Sequence, residues 1–277
     1  MPDKKAVWTI AKKDIYAVRA SVQLWLPMLI VPLLMGVVLP GGLLIASRLL
    51  DLSALGNFEK LLPLLQSVSG SGGQPDLTSM PTDNHRLVYY LSLYMFAPFF
   101  LLIPIMSSSI ITANSFAGEK ERKTLEGLLY TPITMKELFL GKMLAAFVPS
   151  ILLTAGAFAA YGIVVDAVAY PMFGRLIFPN VSWLVLMLVV VPVVSVFVIL
   201  INVFISAKVK GFQEAFQLGG LVVLPVLGLV VSQATGLLLL SPLVLLVIGA
   251  VLLVINVFLL QSLAKWNERH TFLEHHV

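Results

Sequence analysis

Residues 215–264 read AFQLGGLVVLPVLGLVVSQATGLLLLSPLVLLVIGAVLLVINVFLLQSLA, fifty positions without one Asp, Glu, Lys or Arg. A membrane-spanning helix needs about 20 apolar residues, because the hydrocarbon core is about 30 Å thick and each residue rises about 1.5 Å. The run is therefore long enough for two helices. Ser232-Gln233-Ala234-Thr235-Gly236 and Ser241-Pro242 supply the turn between them. Working outward, four more charge-free gaps follow the same rule: Arg19 to Arg48, Arg86 to Glu119, Lys142 to Asp166 and Arg175 to Lys208 leave 28, 32, 23 and 32 residues. Each of these holds one helix.

The spacing predicts spans at about 24–46, 88–113, 143–165, 181–206, 216–236 and 242–264. Gly219, Gly220, Pro225 and Gly228 mark the fifth as kinked or re-entrant. Composition agrees with this reading: 59% of the 277 residues are hydrophobic and 12% are charged, against about 25% charged in a soluble domain. The fold class is an all-α integral membrane protein, one domain over residues 1–277. Its first apolar stretch is too long for a cleaved signal peptide, whose apolar region covers about 7–15 residues.

Lys and Arg concentrate on the cytoplasmic side of membrane proteins. With the N-terminus inside, residues 1–20, 114–142, 207–215 and 265–277 carry 14 of the 18 basic residues, and residues 47–87 and 166–180 carry 4. Both termini are then cytoplasmic, in a multi-pass protein of the cell membrane. The net charge of +4 sorts by membrane side, so a nucleic-acid partner is not expected and the lipid bilayer is. Trp25, Trp183 and Trp266 stand at span ends, where amphipathic rings prefer to lie.

Residues 1–22 read as an interfacial amphipathic helix. Val7, Ala11, Ile15, Val18 and Val22 line one face, Lys5, Lys12, Lys13 and Arg19 the other, and Trp8 suits the headgroup region. The outer loop, residues 47–87, has an apolar first part and a Gly/Ser/Pro-rich second part at 67–84. The loop between the second and third spans, 115–137, breaks into two helical pieces. The first runs from Glu119 to about Leu129, with Glu119–Lys123 and Arg122–Glu126 spaced to pair at i, i+4. Thr131-Pro132 ends it, and Thr134 with Glu137 forms a capping box for the next helix. Its charges cancel, which suits a protein partner better than an anion.

Within the predicted spans there is no Asp, Glu, Lys, Arg or His. Ion-coupled carriers usually place ionisable groups there, so proton-driven transport is disfavoured, as are intramembrane proteases. Ser107-Ser108-Ser109 reads as helix-packing hydroxyls, and Gly156 with Ala160 as a small face for close helix approach. Asn202 and Asn256 are the polar residues deep in spans. They either bond between helices or line a substrate path. The tail residues His270, Glu274, His275 and His276 read as a terminal segment rather than a metal site. There is no cysteine and no phosphate-binding G-x-x-x-x-G-K-[ST] loop. No cofactor, metal or catalytic residue is expected on this chain. An ATP-driven process would need its ATPase on another chain.

Phe116-Ala-Gly-Glu-Lys-Glu-Arg-Lys-Thr-Leu-Glu126, with Leu-Leu-Tyr-Thr-Pro132 and Lys136-Glu-Leu-Phe-Leu-Gly-Lys142, resembles the permeases of ABC exporters of the second type, on the sodium, peptide and drug exporter branch. The typical pattern there is F-x-x-E-[KR]-E-x-[GK]-T-[LI]-E-x-L-L-x-[TS]-P. Lys123 stands where many relatives have glycine, a change that a helix would tolerate. The resemblance implies that this loop holds a coupling helix, with Glu119, Lys120, Glu121, Arg122, Lys123, Thr124, Leu125 and Glu126 meeting a separate ABC ATP-binding subunit. ATP and Mg would then sit on that partner, and two permease chains would form a homodimer or close heterodimer. On this reading charge reversal at Glu119 and Glu126 weakens docking and leaves the spans folded. The alternatives are an ion-coupled or facilitative carrier, and a membrane-embedded enzyme or assembly factor.

Overall fold

The computed structural model describes residues 3–49, 80, 82–124, 133–235 and 237–274. Most of the outer loop, Leu125 and Glu126 of the inner loop, and the tail residues His275 and His276 lie outside the described residues. Helix α1 covers Lys4–Ala20. Six helices long and apolar enough to cross a membrane follow: α2 Val22–Ser47, α3 Asn84–Glu121, α4 Met135–Phe173, α5 Val181–Lys208, α6 Phe212–Ala234 and α7, apolar over Pro242–Leu263. They lie over the six predicted spans, and the described residues form helices without strands.

Helix α3 is the axis. It packs on α2, α4, α5 and α6 and is buried nearly all round, as its apolar faces require. Pro98 lacks an N–H, so the carbonyl of Tyr94 loses its helical donor. A π-helical turn over Leu91–Met95 loosens the neighbouring carbonyls. Side chains from three other helices supply the missing donors. Tyr161 of α4 donates to Ser92 O, and the Trp183 indole N–H of α5 donates to Leu93 O at 3.0 Å. With its amide oriented so that both ends find partners, Gln233 of α6 donates to Tyr94 O at 3.0 Å and accepts from Leu240 N at 3.3 Å. Trp183 is fully buried here and stacks on Tyr161 with ring centroids 4.7 Å apart. Trp183 stands at the span end expected of it, but it faces the bundle: the indole end that would seek headgroups is satisfied by a backbone carbonyl instead.

A second polar seam crosses the middle of the bundle. Ser108 donates to the Ser150 hydroxyl at 3.0 Å, Ser107 donates its one proton to Ile103 O at 2.8 Å and stands 3.0 Å from the same Ser150 hydroxyl, and Asn202 donates to Ser109 Oγ at 3.0 Å. The serine triplet is thus helix-packing, as its hydroxyl chemistry suggests. The small-residue face is different. Gly156 has open space where its Cβ would be, and it is Gly36 of α2 that closes on Ala157, at 3.2 Å from a Cβ position to the Ala157 carbonyl. Helix α6 is interrupted by a single 3-10 turn at Gly220–Val222, which gives the irregularity expected of the fifth span as a break within one helical rod.

Helices α3 and α4 run beyond the predicted spans. With 39 residues, α4 is about 58 Å long at about 1.5 Å per residue, well beyond a core of about 30 Å. Glu119 and Lys142 therefore sit on continuous helix, and both are buried. From the sequence they are expected on helical pieces of the inner loop outside the spans, because charge reads as a span end. Each is instead covered by α1 and neutralised there.

Candidate coupling site

The site begins where α1 meets α4. Thr134 and Glu137 form the reciprocal capping box that opens α4. The same Glu137 carboxylate accepts from Asp3 N at 2.7 Å, which ties the starts of α1 and α4 together. One turn on, Gly141 lets the helices approach: a Cβ there would lie 2.7 Å from Ile10 Cβ and 2.9 Å from Val7 O. The buried face of α1 is Val7, Ile10, Ala11, Asp14 and Val18. Val22 of the predicted face is exposed, and Ile10 and Asp14 take part in its place.

Asp14 leads into a four-residue ion cluster. The Lys142 ammonium lies 2.6 Å from Glu119 Oε2 and 3.5 Å from Asp14 Oδ2. It also donates to Ser115 O, in the π turn at Asn114–Gly118, and sits 5.3 Å over the Phe116 ring. Lys13 approaches Glu119 Oε1 at 2.6 Å and Asp14 Oδ1 at 3.5 Å. Two cations face two anions, so the cluster is neutral. Lys142 has no exposed side-chain surface, whereas Lys13 is half exposed. Partial burial pulls the Lys13 amine down, but Glu119 and Asp14 raise it more, and it stands above its ordinary 10.5. A buried charge is costly unless paired, and this pairing couples the positions of α1, α3 and α4.

The next three residues reach other elements. Lys120 donates to Val209 O at 2.9 Å and Ala207 O at 3.3 Å, where the end of α5 leaves carbonyls without helical donors. Glu121 accepts from Phe212 N at 2.9 Å, at the N-terminus of α6, where a carboxylate meets the positive end of the helix. Gly211 permits this: a Cβ there would come within 2.6 Å of the Glu121 carboxylate. Arg122 turns back to donate to Asn114 Oδ1 at 3.0 Å. The run Glu119-Lys120-Glu121-Arg122 is thus a hub joining α1, α3, α4, α5 and α6.

The helix expected from Glu119 to about Leu129 is broken near its start: α-helix runs to Glu121, Lys123 takes a left-handed conformation at φ 56°, Thr124 is helical again, and the rest lies outside the described residues. Glu119 pairs with Lys13 and Lys142 rather than with Lys123, and Arg122 pairs with Asn114. The left-handed turn also corrects the reading of Lys123 as a tolerated helical residue. Glycine is suited to φ > 0, and lysine there is strained. Of the eight residues expected to meet an ATPase, Glu119 is buried and Lys120 to Thr124 are exposed; Glu119 to Arg122 have partners inside the protein, and Thr124 donates to Glu119 O at 3.2 Å.

Asn202 is fully buried and donates to Val198 O and Ser109 Oγ, both at 3.0 Å. A Cβ on Gly219 of α6 would overlap its amide. Asn256 is nearly as buried and donates to Val193 O at 2.9 Å. The side-chain oxygen of each has no hydrogen-bond partner among the described residues. No group of three or more His, Cys, Asp or Glu among the described residues could hold a metal ion.

Comparison with known proteins gave one family. The model described as "ABC-2 family transporter protein" matches residues 8–242. Neither the curated proteins nor the solved structures include a match. The match spans most of α1, all of α2 to α6 and the hub between them, and the chain belongs to the ABC-2 family of transporter proteins.

Proposed function

We propose that this chain is the permease subunit of an ATP-driven exporter, energised by a separate ABC ATP-binding subunit that docks beneath the hub. The observation that carries the proposal is the run Glu119-Lys120-Glu121-Arg122, whose side chains join five helices. A push on the loop that follows would reach all of them together. Both termini face the cytoplasm on this reading, and two permease chains pair with two ATPases. ATP and Mg are held by the partner.

The division of labour within the loop is sharper than charge pattern suggests. Glu119 to Arg122 position and transmit. Lys123, Thr124 and the residues up to Pro132 meet the ATPase. The cargo path opens along the seam of α3, α5 and α6, where Gly219 closes on Asn202. Asn256, on the other side of α5, is a second candidate lining residue. The cargo is an amphiphilic peptide, lipid or drug, or an ion, because the spans offer hydroxyl and amide groups and the predicted spans hold no Asp, Glu, Lys or Arg.

The test is reconstitution with an ABC ATP-binding subunit in proteoliposomes. ATP-dependent export that disappears with the ATPase subunit supports the proposal. Transport driven by an ion gradient without that subunit supports the carrier alternative and refutes it.

A further inference from the structure

We propose that the groove at the elbow between α1 and α2 binds an anionic phospholipid of the inner leaflet. Helix α1 ends at Ala20, Ser21 is extended at φ −108° and ψ 110°, and α2 starts at Val22. The bend leaves an open groove of about 660 Å³ against α4, within the range of about 300–1,000 Å³ usual for ligand sites. Arg19 is its one charged lining residue, and Trp25, Met28, Leu29, Leu152 and Leu153 form its apolar wall.

Depth and charge together select the occupant. Lys142 marks the polar level of α4. Leu152 and Leu153 lie ten and eleven residues further along that helix, about 15–17 Å deeper at about 1.5 Å per residue. Met28 and Leu29 descend in parallel along α2. The wall therefore passes from headgroup level at Arg19, past an indole suited to the boundary, into the acyl region. Arg19 has no carboxylate partner among the described residues and is exposed. Helix α1 also carries Lys4, Lys5 and Lys12 outside the neutral ion cluster. Such a cationic segment is attracted to an anionic leaflet by about 1 kcal/mol per basic residue. A free phosphate would satisfy Arg19 but leave the apolar wall bare. A zwitterionic lipid would fill the wall without matching the charge.

A lipid held here bridges α1, α2 and α4 beside the ion cluster, so it reinforces the contact that the hub depends on. The inference rests on the reading that α1 faces the cytoplasm. Its test needs no ATPase, and its failure is therefore separate from failure of the transport proposal.

The experiment is native mass spectrometry of the full chain in detergent, titrated with phosphatidylglycerol and with phosphatidylcholine of the same acyl chains. The wild type is expected to retain phosphatidylglycerol preferentially, and Arg19→Gln to lose about five- to tenfold of that affinity with phosphatidylcholine unchanged. Leu152→Trp, on an exposed wall position, is expected to fill the groove and reduce both. Equal retention of the two lipids, or an unchanged preference in Arg19→Gln, overturns the proposal. So does displacement of the lipid by inorganic phosphate alone, or a groove covered by a second copy that releases no lipid.

Discussion

Replacing Lys142 with Met removes the fully buried ammonium and keeps the length of its stem. The cluster then carries Lys13 against Asp14 and Glu119, a net charge of −1 in a covered site. At 2.6 Å the lost Glu119 contact has a gross Coulomb energy of about 6 kcal/mol at an effective dielectric of about 20. Desolvation of the amine offsets part of this. Breaking a buried pair by removing one partner costs about 3–5 kcal/mol. Half-exposed Lys13 remains beside Glu119, so the lower end, about 3 kcal/mol, is expected. The second variant, Lys142→Met with Asp14→Asn, restores neutrality. Asp14 Oδ2 has no hydrogen bond of its own, so its neutralisation forfeits little. The double variant should therefore recover at least about 1 kcal/mol relative to the sum of the two single losses. Denaturant unfolding of the reconstituted protein, followed by circular dichroism, measures all four corners of the cycle. A single loss below about 1 kcal/mol, or additivity within about 0.5 kcal/mol, would refute the cluster as a structural clamp.

Lys123→Gly should stabilise the turn after Glu121 by about 1 kcal/mol, because glycine adopts φ 56° without the steric penalty of a Cβ; slower proteolysis of the loop would register it. Gly141→Leu should cost about 1–3 kcal/mol by wedging α1 off α4, seen as faster hydrogen exchange in α1. Glu121→Ala should remove the cap at Phe212 N for about 1 kcal/mol, and Gly211→Val should mimic it in thermal unfolding. Lys13 stands above 10.5 when folded, so its contribution is complete below about pH 10.5 and fades as pH rises through the folded value. Thermal unfolding between pH 9 and pH 11.5 should therefore flatten in Lys13→Gln.

The membrane fold was legible because charge is so costly in lipid that its gaps outline the helices. The capping box at Thr134 and Glu137 was legible because its partners are three residues apart. The hub was not. Glu119 and Lys13 are 106 residues apart, and pairing rules at i, i+4 see only local partners, so Glu119 was matched to Lys123. Two signals were nonetheless present. Asp14 falls seven residues after Val7, on the apolar face of α1, and Lys142 stands in the apolar run Phe-Leu-Gly-Lys-Met-Leu. A charge on an apolar face predicts a partner across the interface. The inward face of Trp183 was hidden for a related reason: its acceptor, Leu93 O, lies in a π turn 90 residues earlier in the chain. These corrections also change the expected effect of Glu119→Lys. It would put three cations in one covered site and disturb the helices themselves, not docking alone.

The central claim is that α1 and α4 move as one body under the ATPase. The chain has no cysteine, so Lys5→Cys and Lys136→Cys, both at exposed positions, can carry a pair of nitroxide labels without background. Their distance by pulsed electron paramagnetic resonance, in the complex with an ATP-binding subunit, is expected to be the same with and without ATP while export proceeds. A distance that changes with nucleotide would mean that α1 slides on α4, and the account of the hub as a rigid clamp would be wrong.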